Sequence, residues 1–341
     1  MSGYDVVRKT KPVMLQRGQL MYRFSSIKIL TISLWFAFLF LAPPVSEAKD
    51  AGERFVPNAY QSGRIPFSLP FFSLNGHMLI DGAVDGKQGK FLFDTGTEFA
   101  FFLNNNYLKL GKEQFIARGH AASGQELVLY RQRAPLSSIE IGKVVRFDAV
   151  RGFTHTDWGF LEKGYGIPAF LGSVGHGFNR NYVFVIDYDM QSITFYPYDE
   201  HGQVPSMVID PEKVVARFEF RPAGVDGKIP EIVIYVGDEP ITAFFDTGNL
   251  GSLELTESMQ TVLAQKVLLK LTPSEYSYGA YESVMRAEIN GLRHEGVKFA
   301  SIRNLIFTSG VKNRIGLGYQ FLKNHITVWD YQNRTLTLLH P

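Results

Sequence analysis

Residues 78–96 read MLIDGAVDGKQGKFLFDTG, and residues 230–248 read PEIVIYVGDEPITAFFDTG. Laid over one another without gaps, at an offset of 152 residues, they share one pattern. Each is an apolar strand, a turn rich in Gly and Asp, and a second apolar strand ending on Asp-Thr-Gly. Ile80 falls on Ile232, Val84 on Val236 and Phe93 on Phe245. The likeness continues downstream. VFVIDYDMQSITFYP (183–197) matches ITVWDYQNRTLTLLHP (326–341), with Asp187 and Asp330 offset by 143 residues. A glycine-bearing apolar patch precedes each, AFLGSVGHGF (169–178) and RIGLGYQF (314–321). The chain beyond its N-terminal segment is therefore two copies of one β-rich unit, 52–203 and 204–341. The join, HGQVPSMVIDPEK (201–213), carries two prolines and reads as a linker. Short strands with regular turn signals predict an all-β fold with minor helices. One stretch departs from it. TESMQTVLAQKVLLK (256–270) has an N-cap in Thr256, apolar residues at Met259, Val262, Leu263 and Val267, and Pro273 beyond its end, which predicts a helix.

The composition narrows the chemistry. The 341 residues contain no cysteine, which excludes disulfides, thiol catalysis and thiolate metal sites. The net charge is +2 and basic residues form no concentrated run, so nothing points to nucleic acid. Residues 29–42, ILTISLWFAFLFLA, follow Arg17, Arg23 and Lys28. They are too short an apolar run for a typical membrane span and suit the core of a signal peptide over residues 1–48. Ser46 and Ala48 supply the small residues of a cleavage site, and Met21 is an alternative start that leaves a shorter leader. The expected product begins near Lys49, in the periplasm or outside the cell, and is free of the membrane after cleavage. The alternative is an uncleaved anchor at 29–42.

Asp94 and Asp246 carry the candidate chemistry. A lone carboxylate among phenylalanines is costly unless it is paired or hydrogen-bonded. A two-fold relation between equivalent units would bring the two turns face to face and give each aspartate the other as partner. Two carboxyls in contact hold one proton between them, with two separated macroscopic pKa values. Such a pair activates a water for attack on a carbonyl without a metal or a covalent intermediate. Gly96 and Gly248 lack a Cβ, so their N–H groups can approach the carboxylates. The Thr95 and Thr247 hydroxyls are placed to bond across the interface. Thr97 and Asn249 each offer a donor to an outer carboxylate oxygen. The competing reading is that each Asp-Thr-Gly is simply a turn.

With FLFDTGT, AFFDTGN, the patches around Gly172 and Gly316, and the VIDY and VWDY strands together, the chain resembles the pepsin/retropepsin superfamily of aspartic peptidases. In particular it is similar to bacterial exported proteins with two tandem retropepsin-like domains. The resemblance covers about residues 65–341. It implies a bilobal acid-protease fold, with two homologous β-barrel-like lobes and the active site at their interface. It implies an aspartic endopeptidase acting as a monomer on a peptide or protein substrate, with no cofactor and no metal. It places an apolar-apolar-Gly element beside each Asp-Thr-Gly loop, for which Phe170, Leu171 and Gly172, and Ile315 and Gly316, are the candidates. In the first copy Gly172, Gly175 and Gly177 compete for the glycine position. It also implies flap hairpins over the substrate. The candidates are GHAASGQELVLY (119–130), with Gly119 and His120, and SYGAYESVMR (277–286), with Tyr278 and Tyr281. The aromatic stretch 146–166 either lines the cleft or packs its own rings as a surface loop. Its His155 and Asp157 do not read as a metal site. The same fold could instead bind a peptide or wall polymer without cutting it, or serve as an oligomerising envelope protein.

Overall fold

The Asp-Thr-Gly hairpins form as their alternation requires. The computed structural model describes residues 65–341 except 112–113, 122–124, 205–206, 224–228 and 275–284, and only the backbone of His120, Pro222 and Ala223. The expected signal segment lies outside the described residues.

The first half runs β1 (Phe67–Pro70), β2 (Phe72–Leu74), β3 (His77–Val84), β4 (Lys87–Phe93), β5 (Phe101–Asn104), β6 (Gln114–His120) and β7 (Glu126–Arg131). It continues through β8 (Leu136–Ile141), β9 (Val145–Val150), β10 (Thr154–Thr156), β11 (Phe170–Val174), β12 (Tyr182–Asp187) and β13 (Ser192–Pro197). Short helices α1 (Asn105–Leu108), α2 (Gly159–Gly164) and α3 (His176–Asn179) are interspersed. The second half repeats the plan. It has β14 (Val214–Glu219), β15 (Arg221–Ala223), β16 (Ile229–Val236), β17 (Glu239–Phe245), β18 (Ser252–Leu255), β19 (Leu269–Pro273) and β20 (Met285–Ile289). Then come β21 (Leu292–His294), β22 (Val297–Lys298), β23 (Ile302–Ser309), β24 (Arg314–Leu317), β25 (Ile326–Asp330) and β26 (Thr335–Leu339), with helices α4 (Glu257–Gln265) and α5 (Tyr319–Leu322).

The described chain is thus mostly β-sheet, as expected. One sheet has the order β6-β7-β10-β5-β11-β4-β3-β8-β9, with β2 added to β3; another has the order β19-β20-β23-β18-β24-β17-β16-β21-β22, with β15 added to β16. Each strand of one has its counterpart in the other. The β3–β4 hairpin turns at Asp85-Gly86, both at positive φ, as a two-residue hairpin of the primed type requires.

The third sheet belongs to both halves. Its order is β1-β13-β12-β25-β26-β14, which reads the same from either edge once the repeat is applied. At its centre β12 runs antiparallel to β25, with Val185 opposite Val328. Those are the residues that the Asp187–Asp330 offset makes equivalent, so a local two-fold axis passes between them. Phe184 and Trp329 stack across this seam at 5.7 Å. The linker does not hang free: Val204, Met207 and Ile209 pack on the outer face of this sheet with Val183, Val328 and Leu339.

The phenylalanines that precede the aspartates are anchors. Phe93 is fully buried and meets Phe184 at 5.4 Å and Phe195 at 6.0 Å; Phe245 meets Phe218 at 5.2 Å and Trp329 at 6.1 Å. Each strand end is therefore pinned to the shared sheet. Burying such a ring stabilises by about 1.5–3 kcal/mol.

One expectation needs correction. The helix predicted over 256–270 forms with Thr256 as its cap, whose hydroxyl accepts from the Met259 amide at 3.3 Å, but it stops at Gln265. Val267 adopts φ of 57°, and the Leu268 amide bonds back to the Leu263 carbonyl at 2.8 Å. This is a left-handed helix end with valine where glycine is usual. The stretch from Leu269 is strand β19. Within the aromatic segment 146–166, Trp158 turns inward. Trp158 is buried against Phe102 (4.9 Å) and Phe170 (6.3 Å), in a second apolar cluster that includes Leu79, Leu92 and Leu129.

Candidate active site

Each aspartate begins where a strand ends. Val174 on β11 and Leu317 on β24 run parallel beside Phe93 and Phe245, and their carbonyls accept from the Asp94 and Asp246 amides at 2.9 and 3.4 Å. The turns close alike, Thr97 N–H to Asp94 C=O and Asn249 N–H to Asp246 C=O, both at 3.2 Å. Under them lie Gly175 and Gly318. A Cβ on Gly175 would collide with the Thr97 carbonyl, and one on Gly318 with the Asn249 carbonyl. The strand register resolves the glycine left open by sequence. Val174 is the counterpart of Leu317, so Gly175, not Gly172, is the counterpart of Gly318, and Ser173 is the counterpart of Gly316.

The two turns are locked to each other. The Thr95 amide donates to the Thr247 hydroxyl and the Thr247 amide to the Thr95 hydroxyl, each at 3.0 Å. The Thr247 hydroxyl donates to the Phe93 carbonyl (2.9 Å), and that of Thr95 to the Phe245 carbonyl (3.4 Å). The Asp94 and Asp246 carboxyls lie close enough for each to alter the other's proton affinity. The Gly96 amide donates to Asp94 Oδ1 at 2.8 Å, and the Gly248 amide to Asp246 Oδ1 at 2.9 Å. Each glycine also abuts the opposite carboxyl. A Cβ on Gly96 would lie 2.6 Å from the Asp246 carboxyl, and one on Gly248 would lie 2.5 Å from that of Asp94. Both aspartates are half-buried.

The surroundings set the proton affinities. Burial raises both carboxyls above the usual carboxylate range. Asp246 is pushed well above it, by burial first and then by the charge of Asp94. For Asp94 the Thr97 hydroxyl, Asp246 and the Gly96 and Thr97 amides work against burial. His77 is buried, its ring edge-on to Tyr165 at 4.9 Å, and burial lowers it to about 4, offset in part by the Gly248 backbone. Tyr331 is raised by burial and by both aspartates.

The structure thus brings together Asp94, Thr95, Gly96, Thr97, Asp246, Thr247 and Gly248. Asn249 is in place but does not do what its position predicts. Thr97 Oγ1 donates to Asp94 Oδ2 at 2.5 Å. The Asn249 side chain turns away from Asp246; its Oδ1 accepts from the Gly251 amide at 2.7 Å, and its Nδ2 donates to Ser252 Oγ at 3.3 Å. The reason is local: an asparagine carbonyl caps the amide two residues on, as in an Asx turn. Of the flap candidates, Gly119 lies in the β6–β7 hairpin, with His120 paired to Glu126 at its end. Tyr278 and Tyr281 lie outside the described residues, between β19 and β20. His155 is buried and stacks on Tyr130 at 5.7 Å, while Asp157 caps the Gly159 amide at 2.8 Å.

Sequence reasoning missed Ser173, Ser252, His77 and a reciprocal aromatic contact. Tyr331 of the second half packs on His176 of the first (4.8 Å), and Tyr188 of the first on Tyr319 of the second (6.0 Å). The 143-residue offset, applied to Asp-Tyr and to α3, held the signal for that contact. No family model matches the chain, and no curated protein matches it.

Proposed function

We propose that the protein is an aspartic endopeptidase. The observation that carries this reading is the face-to-face placement of Asp94 and Asp246, each carboxyl held by its own glycine amide and set against the glycine of the opposite turn. In the mechanism, the ionised member takes a proton from a water held between the carboxyls. The protonated member donates to the carbonyl oxygen of the scissile peptide as the water oxygen bonds to the carbonyl carbon. The resulting diol collapses: one of its hydroxyls returns a proton to the carboxylate that protonated the carbonyl oxygen, the C–N bond breaks, and the leaving nitrogen takes the proton first removed from water. The proton count of the pair is restored at the end of the cycle.

The bilobal acid-protease arrangement belongs to this proposal. Two equivalent sheets, a shared sheet with a two-fold centre and the reciprocal Thr95–Thr247 bonds support it. The β6–β7 and β19–β20 hairpins are its flaps, and a substrate peptide lies extended beneath them. The apolar run 29–42 supports export to the periplasm or beyond, with the enzyme acting there as a monomer.

Digestion of a peptide library tests the reading. Wild type is expected to cut internal peptide bonds, and Asp94→Asn and Asp246→Asn to cut none. Binding of peptides by wild type without cleavage would favour a non-catalytic peptide- or polymer-binding role. Equal cleavage by wild type and Asp94→Asn would eliminate the carboxyl-pair mechanism.

A further inference from the structure

The two halves support their aspartates with different polar networks. In the first, Thr97 Oγ1 holds Asp94 Oδ2, and Ser173 Oγ on β11 lies 3.1 Å from the same hydroxyl. In the second, Gly316 stands where Ser173 stands, opposite Ser252 on the neighbouring strand. A Cβ at Gly316 would come within 2.5 Å of Ser252 Oγ. The loss of a side chain on β24 therefore makes room for the hydroxyl on β18. That hydroxyl engages Asn249 Nδ2, while the Gly251 amide engages Asn249 Oδ1. Asn249, Ser252 and Gly316 form one self-contained arrangement. Its outcome is that Asp94 receives a side-chain donor on its outer oxygen, whereas Asp246 is served by backbone amides and by Asp94 itself.

We propose that this rebuilt network keeps the shared proton on Asp246 and the charge on Asp94. A hydroxyl that donates to a carboxylate stabilises its charged form, and such charge-assisted bonds are the strong ones. The half that keeps the hydroxyl keeps the charge. Asp94 is then the base that takes the proton from water. Asp246 is the acid that gives its proton to the carbonyl oxygen. Asn249 acts through Asp246 and is a positioning residue. Of the titratable groups near the turns, His77 beside the Gly248 backbone and Tyr331, which His176 packs against, are neutral near pH 7; Glu98 lies buried just beyond Thr97, and the His176 amide bonds the Thr97 carbonyl. The assignment of roles rests on the endopeptidase reading; the placement of the proton does not.

Carboxyl-13C aspartate NMR on the full chain separates the two. Resonances are assigned from Asp94→Asn and Asp246→Asn, and the pair is titrated as a coupled unit. In wild type, the Asp94 signal is expected to move mainly in the lower step and Asp246 in the upper. Thr97→Val removes the donor to Asp94 and is expected to raise the lower step by about one pH unit, the size of one charge-assisted bond. Asn249→Thr combined with Gly316→Ser and Ser252→Ala transplants the first network into the second half. It is expected to lower the upper step by a similar amount, and the alkaline limb of peptide cleavage with it. Movement of Asp94 in the upper step of wild type would overturn the proposal. So would steps that stay put in Thr97→Val, which decides the matter if the triple variant does not fold. If wild type cleaves no peptide, the endopeptidase reading falls and the titration still tests where the proton sits.

Discussion

The amide of Thr95 and the amide of Thr247 each donate to the other's hydroxyl at 3.0 Å, deep beneath the carboxyl pair. Four polar groups are satisfied by two residues, and both halves of the chain are tied at that point. Thr247→Val keeps the shape and removes the hydroxyl. It leaves the Thr95 amide and the Phe93 carbonyl without that partner. The expected cost is about 1–3 kcal/mol for an unsatisfied buried group. Urea denaturation measures it, and an unchanged midpoint would show that the bonds contribute nothing.

Gly96 and Gly248 are expected to tolerate no side chain. Ala at either position puts a methyl into the opposite carboxyl, at 2.6 or 2.5 Å. The pair must then separate. Peptide cleavage by Gly96→Ala is expected to fall by at least about 100-fold, as displacements near 1 Å do in active sites. Circular dichroism should still report a folded chain.

The pair also fixes a pH dependence of stability. Asp246 in the fold keeps a proton that the unfolded chain releases above its own pKa of about 3.9. Its stabilising contribution is therefore complete below that value and is lost as pH rises through the folded value. Asp246→Asn is expected to be more stable than wild type at pH 7, by the order of 1 kcal/mol, with the gain fading towards pH 4. His77 has the opposite sign. Lowered from 6.5 to about 4, its contribution is present above 6.5 and is lost as pH falls through 4. His77→Gln should reduce acid destabilisation in that window. Thermal melts from pH 3 to 8 check both slopes.

Val267 closes helix α4 with a left-handed backbone and is 81% exposed, so its side chain gains little from packing there. A β-branched residue in this conformation is strained. Val267→Gly is expected to stabilise by about 1 kcal/mol, relief of the left-handed penalty less the added chain entropy. A lower melting temperature would show that the valine packs to advantage.

That same valine marks where sequence stops being readable. Thr256 announces the start of α4 because an N-cap is a side-chain event. Its end is a backbone event, and no glycine signals it. The Asp-Thr-Gly hairpins were legible because a period of two and Asp-Gly turns are local. The pairing of β12 with β25 was not. VFVID and ITVWD read as strands buried on both faces, but nothing local names a strand's neighbour. Asn249 shows the limit most clearly. Its position is fixed by the repeat, yet its orientation depends on Gly316 and Ser252, which meet only once β18 lies beside β24.

The seam between Val185 and Val328 also dictates when the molecule can finish folding. As the ribosome proceeds, β12 appears just past the midpoint of the chain and then waits roughly 140 residues for β25. Until then one edge of a strongly apolar strand has no neighbour, an invitation to pair with another copy. The first half can assemble its own sheet in that interval, but the floor on which Phe93 and Phe245 both rest cannot be completed. Folding is therefore expected to be slow and dominated by one distant contact. Competence at the carboxyl pair arrives last, when the final strands close the sheet.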